Sequence, residues 1–297
     1  MNSFTSRQLA ATMVLATSAW LTLSIAGEAP TAAPAAAPTA DPAAASANKL
    51  IMVAVPSAPP KDYVIPKKGV SDAIRKAVEN PARRKEDIAR DGYRKPAEVL
   101  ALAGVKAGQK IIEFGSFGEF DSFGQYYTTL LAEVVGPKGM VYMYDPPDLD
   151  AQLGGNSRAF AEAHPNTKYE AGSFDKIQFP RGIDIAFSNL YYHEILLRGT
   201  NMTVFHDKLF KALKPGGIYL IIDHAGVIGE DLKKTLQIHR IDPQELNSGV
   251  RAAGFTLVVE SRILERTDDD HRWPVFTEGK RDQTDQTVYM FRKPVVY

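Results

Sequence analysis

The chain is expected to fold as an α/β protein, a doubly wound and mostly parallel sheet ending in an antiparallel strand pair, on three observations. An apolar strand at residues 111–114, a glycine-rich loop, a helix with an apolar stripe and a second strand ending in Asp145 follow one another directly. That is the order of a Rossmann-like βαβ unit. Strand and helix patterns go on alternating as far as residue 253, which implies helices on both faces of a parallel sheet. Only loop and turn chemistry separates the last two strands, residues 256–263 and 286–292, so they are expected to pair antiparallel.

The first 69 of the 297 residues do not read as part of this sheet. Arg7 precedes an 18-residue apolar run, residues 9–26, with small residues at Ala26, Gly27 and Ala29. This is the pattern of a secretory signal peptide or an uncleaved anchor. Arg7 is the one basic side chain before Lys49, which keeps the N-terminus in the cytoplasm and sends the body out, to the periplasm. Residues 27–48 are mostly Ala and Pro, with Pro30, Pro34, Pro38 and Pro42 breaking any helix; they read as an extended tether. Residues 49–69 combine an apolar run with Pro56, Pro59, Pro60 and Pro66, the composition of an extended arm lying on the domain. Residues 70–297 form that domain, long enough to bury about 70% of the surface of its unfolded chain. The absence of cysteine rules out disulfides and thiolate metal sites, and the balance of 35 basic against 35 acidic side chains gives no reason to expect a nucleic-acid partner.

Within the domain, helical patterns cover residues 71–80 and 95–103, with Pro96 acceptable in a first turn. The glycine loop contains a repeat: Ser116-Phe117-Gly118-Glu119-Phe120 returns six residues later as Ser122-Phe123-Gly124-Gln125-Tyr126. Each copy is a capping box, so the next helix is offered two starts. Ser122 is the better one, since Tyr126, Tyr127, Leu130, Leu131 and Val134 then form its apolar stripe. Gly115, Gly118 and Gly124 let the backbone approach a ligand, and Asp145, 21 positions after Gly124, suits the ribose hydroxyls of an adenosyl group. A polar helix near residues 156–163, a strand at 183–188, a helix at 202–213, a strand at 217–223 and a helix at 243–253 complete the alternation.

Beyond the loop and Asp145, the chain carries Asn189-Leu190-Tyr191-Tyr192-His193-Glu194, Leu213-Lys214-Pro215-Gly216-Gly217, Asp223-His224, His239-Arg240-Ile241-Asp242 and Ala253-Gly254-Phe255. With these strings it resembles the class I S-adenosylmethionine-dependent methyltransferases, and most closely an exported bacterial group of methyltransferases of that fold. The resemblance runs over residues 80–294 and implies the class I methyltransferase fold, S-adenosylmethionine as cofactor and methyl transfer to a small-molecule acceptor. A non-catalytic exported binding module that keeps the fold is the alternative. The chain departs from the family at the glycine loop, where removing one copy of the six-residue repeat restores the expected length.

By position and by resemblance, Asp145 is the expected ribose ligand. Glu113 is expected to orient the loop or reach the methionine amino group, Phe174 and Asp175 stand where the family contacts adenine, and Gly115, Gly118, Gly124 and Asn189 complete the cofactor set. If the strands at 183–188 and 217–223 are neighbours, His193, Glu194 and His224, with His239, converge at the carboxyl edge of the sheet as a general base or as ligands for a hard or borderline metal. Tyr191 and Tyr192 wall an aromatic acceptor site or pack in the core. His164, His206 and His271, and the charge runs Lys67-Lys68, Arg83-Arg84-Lys85 and Lys233-Lys234, are expected on the surface.

Overall fold

The computed structural model describes residues 51–53, 63–116, 124–280 and 282–295. The expectations for residues 1–48, for Gly118 and for a cap at Ser122 lie outside these residues. The elements are β1 (Ile51–Val53), α1 (Asp72–Glu79), α2 (Lys85–Ile88), α3 (Asp91–Arg94), α4 (Pro96–Ala103), β2 (Lys110–Phe114), α5 (Tyr126–Val135), β3 (Met140–Asp145) and α6 (Pro147–Ala163). They continue as β4 (Thr167–Ala171), β5 (Ile183–Asn189), α7 (Tyr192–Leu197), α8 (Met202–Ala212), β6 (Leu213–His224), α9 (Leu232–Gln237), α10 (Pro243–Ala252), β7 (Thr256–Ser261) and β8 (Gln286–Arg292).

The strands form one sheet in the order β4-β3-β2-β5-β6-β8-β7-β1. All pairings are parallel except those of β8, which runs antiparallel to both β6 and β7. The expected antiparallel pair is present, but it does not end the sheet: β1, from the segment read as an arm, pairs in parallel with β7 through Ile51 and Val259. Side chains alternate between the two faces with the period of two that a strand imposes. Ile111, Ile185, Phe187, Leu220 and Ile222 join the core against α1, α4 and α5. Ile112, Ala186, Tyr219 and Ile221 join the other core, with Phe205 and Leu209 of α8 and Leu246 and Val250 of α10. Burial on both faces explains why these strands read as apolar runs.

Among the described residues, side-chain caps set the starts of four helices, α1, α8, α9 and α10. Ser71 caps α1 by accepting from Ile74 N–H, Asn201 caps α8 through Val204 N–H, and Asp242 caps α10 through Gln244 N–H ahead of Pro243. By contrast α5 begins at Tyr126 with no side-chain cap hydrogen bond, its N-cap Gln125 lying in the left-handed region at φ 59°. Gln125 N–H instead donates to Ser116 O at 2.8 Å, and the Gln125 amide donates to Ser157 Oγ at 3.0 Å. The repeat therefore does not supply the capping box through Gln125 that its sequence suggests.

The order of the strands reverses between β2 and β5. From β2 the chain steps outward to β3 and β4, then returns to β5 on the other side of β2 and moves on to β6. In an open α/β sheet such a switch point leaves a crevice beyond the carboxyl ends of the two strands, because the connections diverge to opposite sides.

Candidate functional site

A cavity of about 60 Å³ occupies that crevice. Glu113 and Gly115 line it from the end of β2, Asn189, Leu190 and Tyr191 from the end of β5, and His193, Glu194 and His224 from α7 and the tip of β6. Gly115 has φ +77°, and a Cβ on it would lie 2.7 Å from the ring of Tyr191. Only glycine lets β2 end against β5 in this way. Glu113 is buried, with its Oε2 accepting from Thr128 Oγ1 at 2.7 Å. Burial pushes its carboxyl up to about 8, so it is protonated at neutral pH.

Parallel pairing of β5 with β6 brings His193, one residue into α7, beside Asp223. His193 N–H donates to Asp223 Oδ2 at 2.7 Å, and His193 Nδ1 lies 2.6 Å from Asp223 Oδ1. On the far side of the ring, Nε2 is 3.3 Å from Glu194 Oε1, which also lies 2.6 Å from His239 Nδ1. Arg198 binds Glu194 Oε2 and reaches Asp148 at 3.1 Å. Burial works to lower the His193 imidazolium, but the charge and hydrogen bond of Asp223, and then Glu194, push it up to about 9. Burial works to raise Glu194, yet the hydrogen bonds of His193 and His239, the charge of His193 and the hydrogen bond of Arg198 hold it well below the usual carboxylate range. His224 takes the opposite course: burial, then the charge of His193, keeps it neutral, with Nδ1 2.7 Å from Thr284 Oγ1. The expected convergence is present in the geometry, with His193 and His224 ring centroids 5.7 Å apart and His193 and His239 5.6 Å apart.

The cofactor candidates are placed unevenly. Glu113, Gly115 and Asn189 line the cavity. Asp145, fully buried at the end of β3, instead accepts from Ser116 N–H at 2.8 Å on Oδ1 and from Ser116 Oγ at 3.0 Å and Ser157 Oγ at 3.3 Å on Oδ2. Its carboxylate serves the loop and α6, not the cavity lining. Phe174 is buried in an aromatic cluster, its ring 5.5 Å from Phe114 and 5.9 Å from Tyr191. Asp175 Oδ1 accepts from Ser173 Oγ at 2.7 Å, a contact between two side chains. Neither Phe174 nor Asp175 is among the residues that line this cavity. Gly124, at φ 74°, offers its carbonyl to Arg84 Nη2 at 2.6 Å.

Two surface expectations are corrected. His206 is buried on α8, stacked on Tyr192, and burial pushes it down to about 4. Arg83 is also buried, in a bidentate pair with Asp91 at 2.7 and 2.8 Å, and Tyr126 Oη donates to the same carboxylate at 2.6 Å. Tyr191 and Tyr192 are both buried; Tyr191 lines the cavity, and Tyr192 does not. Arg90, Arg94 and Arg198 also reach the cavity and were not singled out by the sequence, where Arg90 and Arg94 sit in an ordinary charged stretch and Arg198 follows the apolar Ile195-Leu196-Leu197. Asp223 was visible only as half of the Asp223-His224 string, without a role of its own.

No family model and no curated protein matches the chain. Among solved structures, a SAM-dependent methyltransferase from Aquifex aeolicus is 19% identical over 73% of this chain and 96% of its own, with a TM-score of 0.48. Fibrillarin from Aeropyrum pernix, solved with natively bound S-adenosyl-L-methionine, is 12% identical over 65% of this chain and 73% of its own, with a TM-score of 0.41. The cyclase SpnF is 15% identical over 73% of this chain and 86% of its own, with a TM-score of 0.49. These likenesses concern the path of the chain.

Proposed function

We propose that the chain transfers a methyl group from S-adenosylmethionine to a small-molecule acceptor. The observation that carries this reading is the placement of Glu113 and Gly115 opposite Asn189 and His193 at the switch point of the sheet, where all four line one cavity. Such a transfer asks for in-line positioning of two bound molecules and little covalent chemistry from the protein. Gly115 leaves room for the methionine end, and Glu113 and Asn189 offer it polar contacts. The acceptor lies toward α7 and the tip of β6, where Glu194 supplies a fixed negative charge and His224 a neutral imidazole. The ribose end fits less well, since both oxygens of Asp145 are engaged by serines. Admission of the nucleoside requires Ser116 to leave Asp145. Arg7 and the apolar run at residues 9–26 support a location outside the cytoplasm, in the periplasm, as part of this reading.

The second reading, a non-catalytic exported binding module, is favoured by the same Ser116–Asp145 contact and by the small cavity, about 60 Å³. Calorimetric titration of the full chain with S-adenosylmethionine separates the two. Methyl transfer predicts binding that weakens at least tenfold, about 1.4 kcal/mol, in Asn189→Ala. A full-length, folded chain that takes up no S-adenosylmethionine refutes the enzyme and leaves the binding module.

A further inference from the structure

We propose that His193, Glu194 and His239 form a site for one divalent transition cation of the zinc, manganese or ferrous-iron class. The three residues each turn one donor atom toward a common point, and these atoms all lie within 4.8 Å of one another. Two of the separations are already 2.6 and 3.3 Å, both to Glu194 Oε1. Nitrogen and oxygen ligands about 2.0–2.2 Å from zinc stand roughly 3 Å apart, so forming the site asks the His239–Glu194 pair to open slightly and the two histidines to settle within the 4.8 Å that already bounds all three donors.

Three features distinguish this group from a chance cluster of polar side chains. First, His193 carries the outer partner that metal-bound histidines have. Its Nδ1 is tied to Asp223 Oδ1 at 2.6 Å, which fixes the ring and leaves Nε2 facing Glu194; a carboxylate behind the imidazole also makes it a better donor. Second, His239 holds a left-handed backbone at φ 57°. That conformation costs a non-glycine residue free energy and is retained where the surroundings demand a particular side-chain direction. Third, the charges fit. Asp223, Glu194 and Asp148 carry three negative charges and Arg198 one positive charge, so once a cation displaces the proton that His193 otherwise holds, the contacting set stands at −2. A divalent cation brings it to zero.

The donors decide the class. Two imidazoles and one carboxylate suit zinc, iron or manganese, whereas magnesium and calcium prefer oxygen donors alone. Arg198 occupies Glu194 Oε2 and so leaves this carboxylate one oxygen for the cation. Three protein ligands leave at least one coordination position for another molecule, and His193 and Glu194 both line the cavity. The site does not depend on the methyl-transfer reading and stands if that reading fails.

The test uses the full chain, prepared without a polyhistidine tag and stripped with a chelator, and Zn²⁺ alone as probe. One equivalent of Zn²⁺ should be retained through dialysis and seen as a single calorimetric step. His239→Ala, whose side chain is partly exposed, should lower the affinity at least tenfold while keeping the far-UV circular dichroism of the parent. Asp223→Asn, which removes no ligand, should lower it about 10–100-fold. Substoichiometric retention by the parent overturns the proposal, as does unchanged Zn²⁺ affinity in folded His239→Ala. Equal affinity for Mg²⁺ and Zn²⁺ overturns it as well.

Discussion

Ser116 closes over Asp145, its backbone N–H on one carboxylate oxygen at 2.8 Å and its hydroxyl on the other at 3.0 Å. The contact joins the first residue of the glycine loop's repeat to the strand-end acid expected to hold ribose. Ser157 of α6 adds a third donor to the same carboxylate at 3.3 Å. Asp145 thus has a structural duty whatever it does toward a ligand, and the two duties compete for the same oxygens.

Replacing Asp145 by alanine should therefore destabilise the fold by about 2–4 kcal/mol, because a buried N–H and two hydroxyls lose a charged acceptor together. Urea unfolding at neutral pH reads this directly. A change within about 0.5 kcal/mol, typical of an exposed site, would show that the carboxylate is solvated and the network does not hold.

The loop itself should be removable. Ser116 O already accepts from Gln125 N–H at 2.8 Å, so the two ends of the loop are bridged. Deleting residues 118–123 joins Phe117 to Gly124 and makes that bridge the i to i+3 hydrogen bond of a β-turn. Gly124, at φ 74°, has the backbone that a type II turn needs at its third position. The shortened chain should unfold in one cooperative transition with a Tm within a few degrees of the parent, since loop length enters stability only logarithmically. Loss of the cooperative transition would show that residues 118–123 carry contacts the domain needs.

Most strands that the sequence made legible lie inside the sheet, and β7, legible too, alternates half-buried with buried residues. Residues 111–114, 183–188 and 286–292 are apolar runs, and all three lie inside the sheet. β4 went unseen because Thr167-Lys168-Tyr169-Glu170-Ala171 forms the sheet's edge and alternates buried or half-buried with exposed residues in so short a run. The first half of α6 was hidden by Gly154 and Gly155, poor helix formers that the fold tolerates. At the site, strand order brought the His193-Glu194 and Asp223-His224 strings to one edge of the sheet, but the bond between His193 and Asp223 depended on how α7 follows β5. The inward turn of Arg83 could not: in Arg83-Arg84-Lys85 only contact with Asp91 decides which cation is buried. The occupation of Asp145 was equally invisible, since it depends on where Ser116 and Ser157 meet after folding.

His206 should make the fold acid-sensitive. It is buried, its Nε2 has no hydrogen-bond partner among the described residues, and burial lowers it from 6.5 to about 4. Between those values the unfolded chain binds a proton that the folded chain refuses, so stability falls as pH drops from 6.5 toward 4. His206→Phe keeps an aromatic ring beside Tyr192 and removes the proton site. Relative to the parent, the variant should gain about 2–3 kcal/mol on going from pH 7 to pH 4. A parent-to-variant difference that stays constant over this range would mean that His206 is hydrated in the folded state.

Glu113 carries the opposite dependence. Its folded-state value, about 8, lies above the ordinary 4.5 because burial outweighs the hydrogen bond from Thr128. As pH rises through 4.5 the unfolded chain releases a proton that the folded chain still holds, so folding becomes steadily less favourable until the folded carboxyl also ionises. Glu113→Gln keeps the shape and an oxygen for Thr128 Oγ1, and cannot ionise. The variant should match the parent near pH 4 and exceed it by on the order of 2–4 kcal/mol at pH 8, read from denaturant unfolding across that range. The difference should stop growing above pH 8, where both states of the parent are ionised. A variant that is less stable than the parent throughout, with no trend in pH, would instead make Glu113 a charged partner in the folded protein and reverse its assignment as the protonated wall of the cavity.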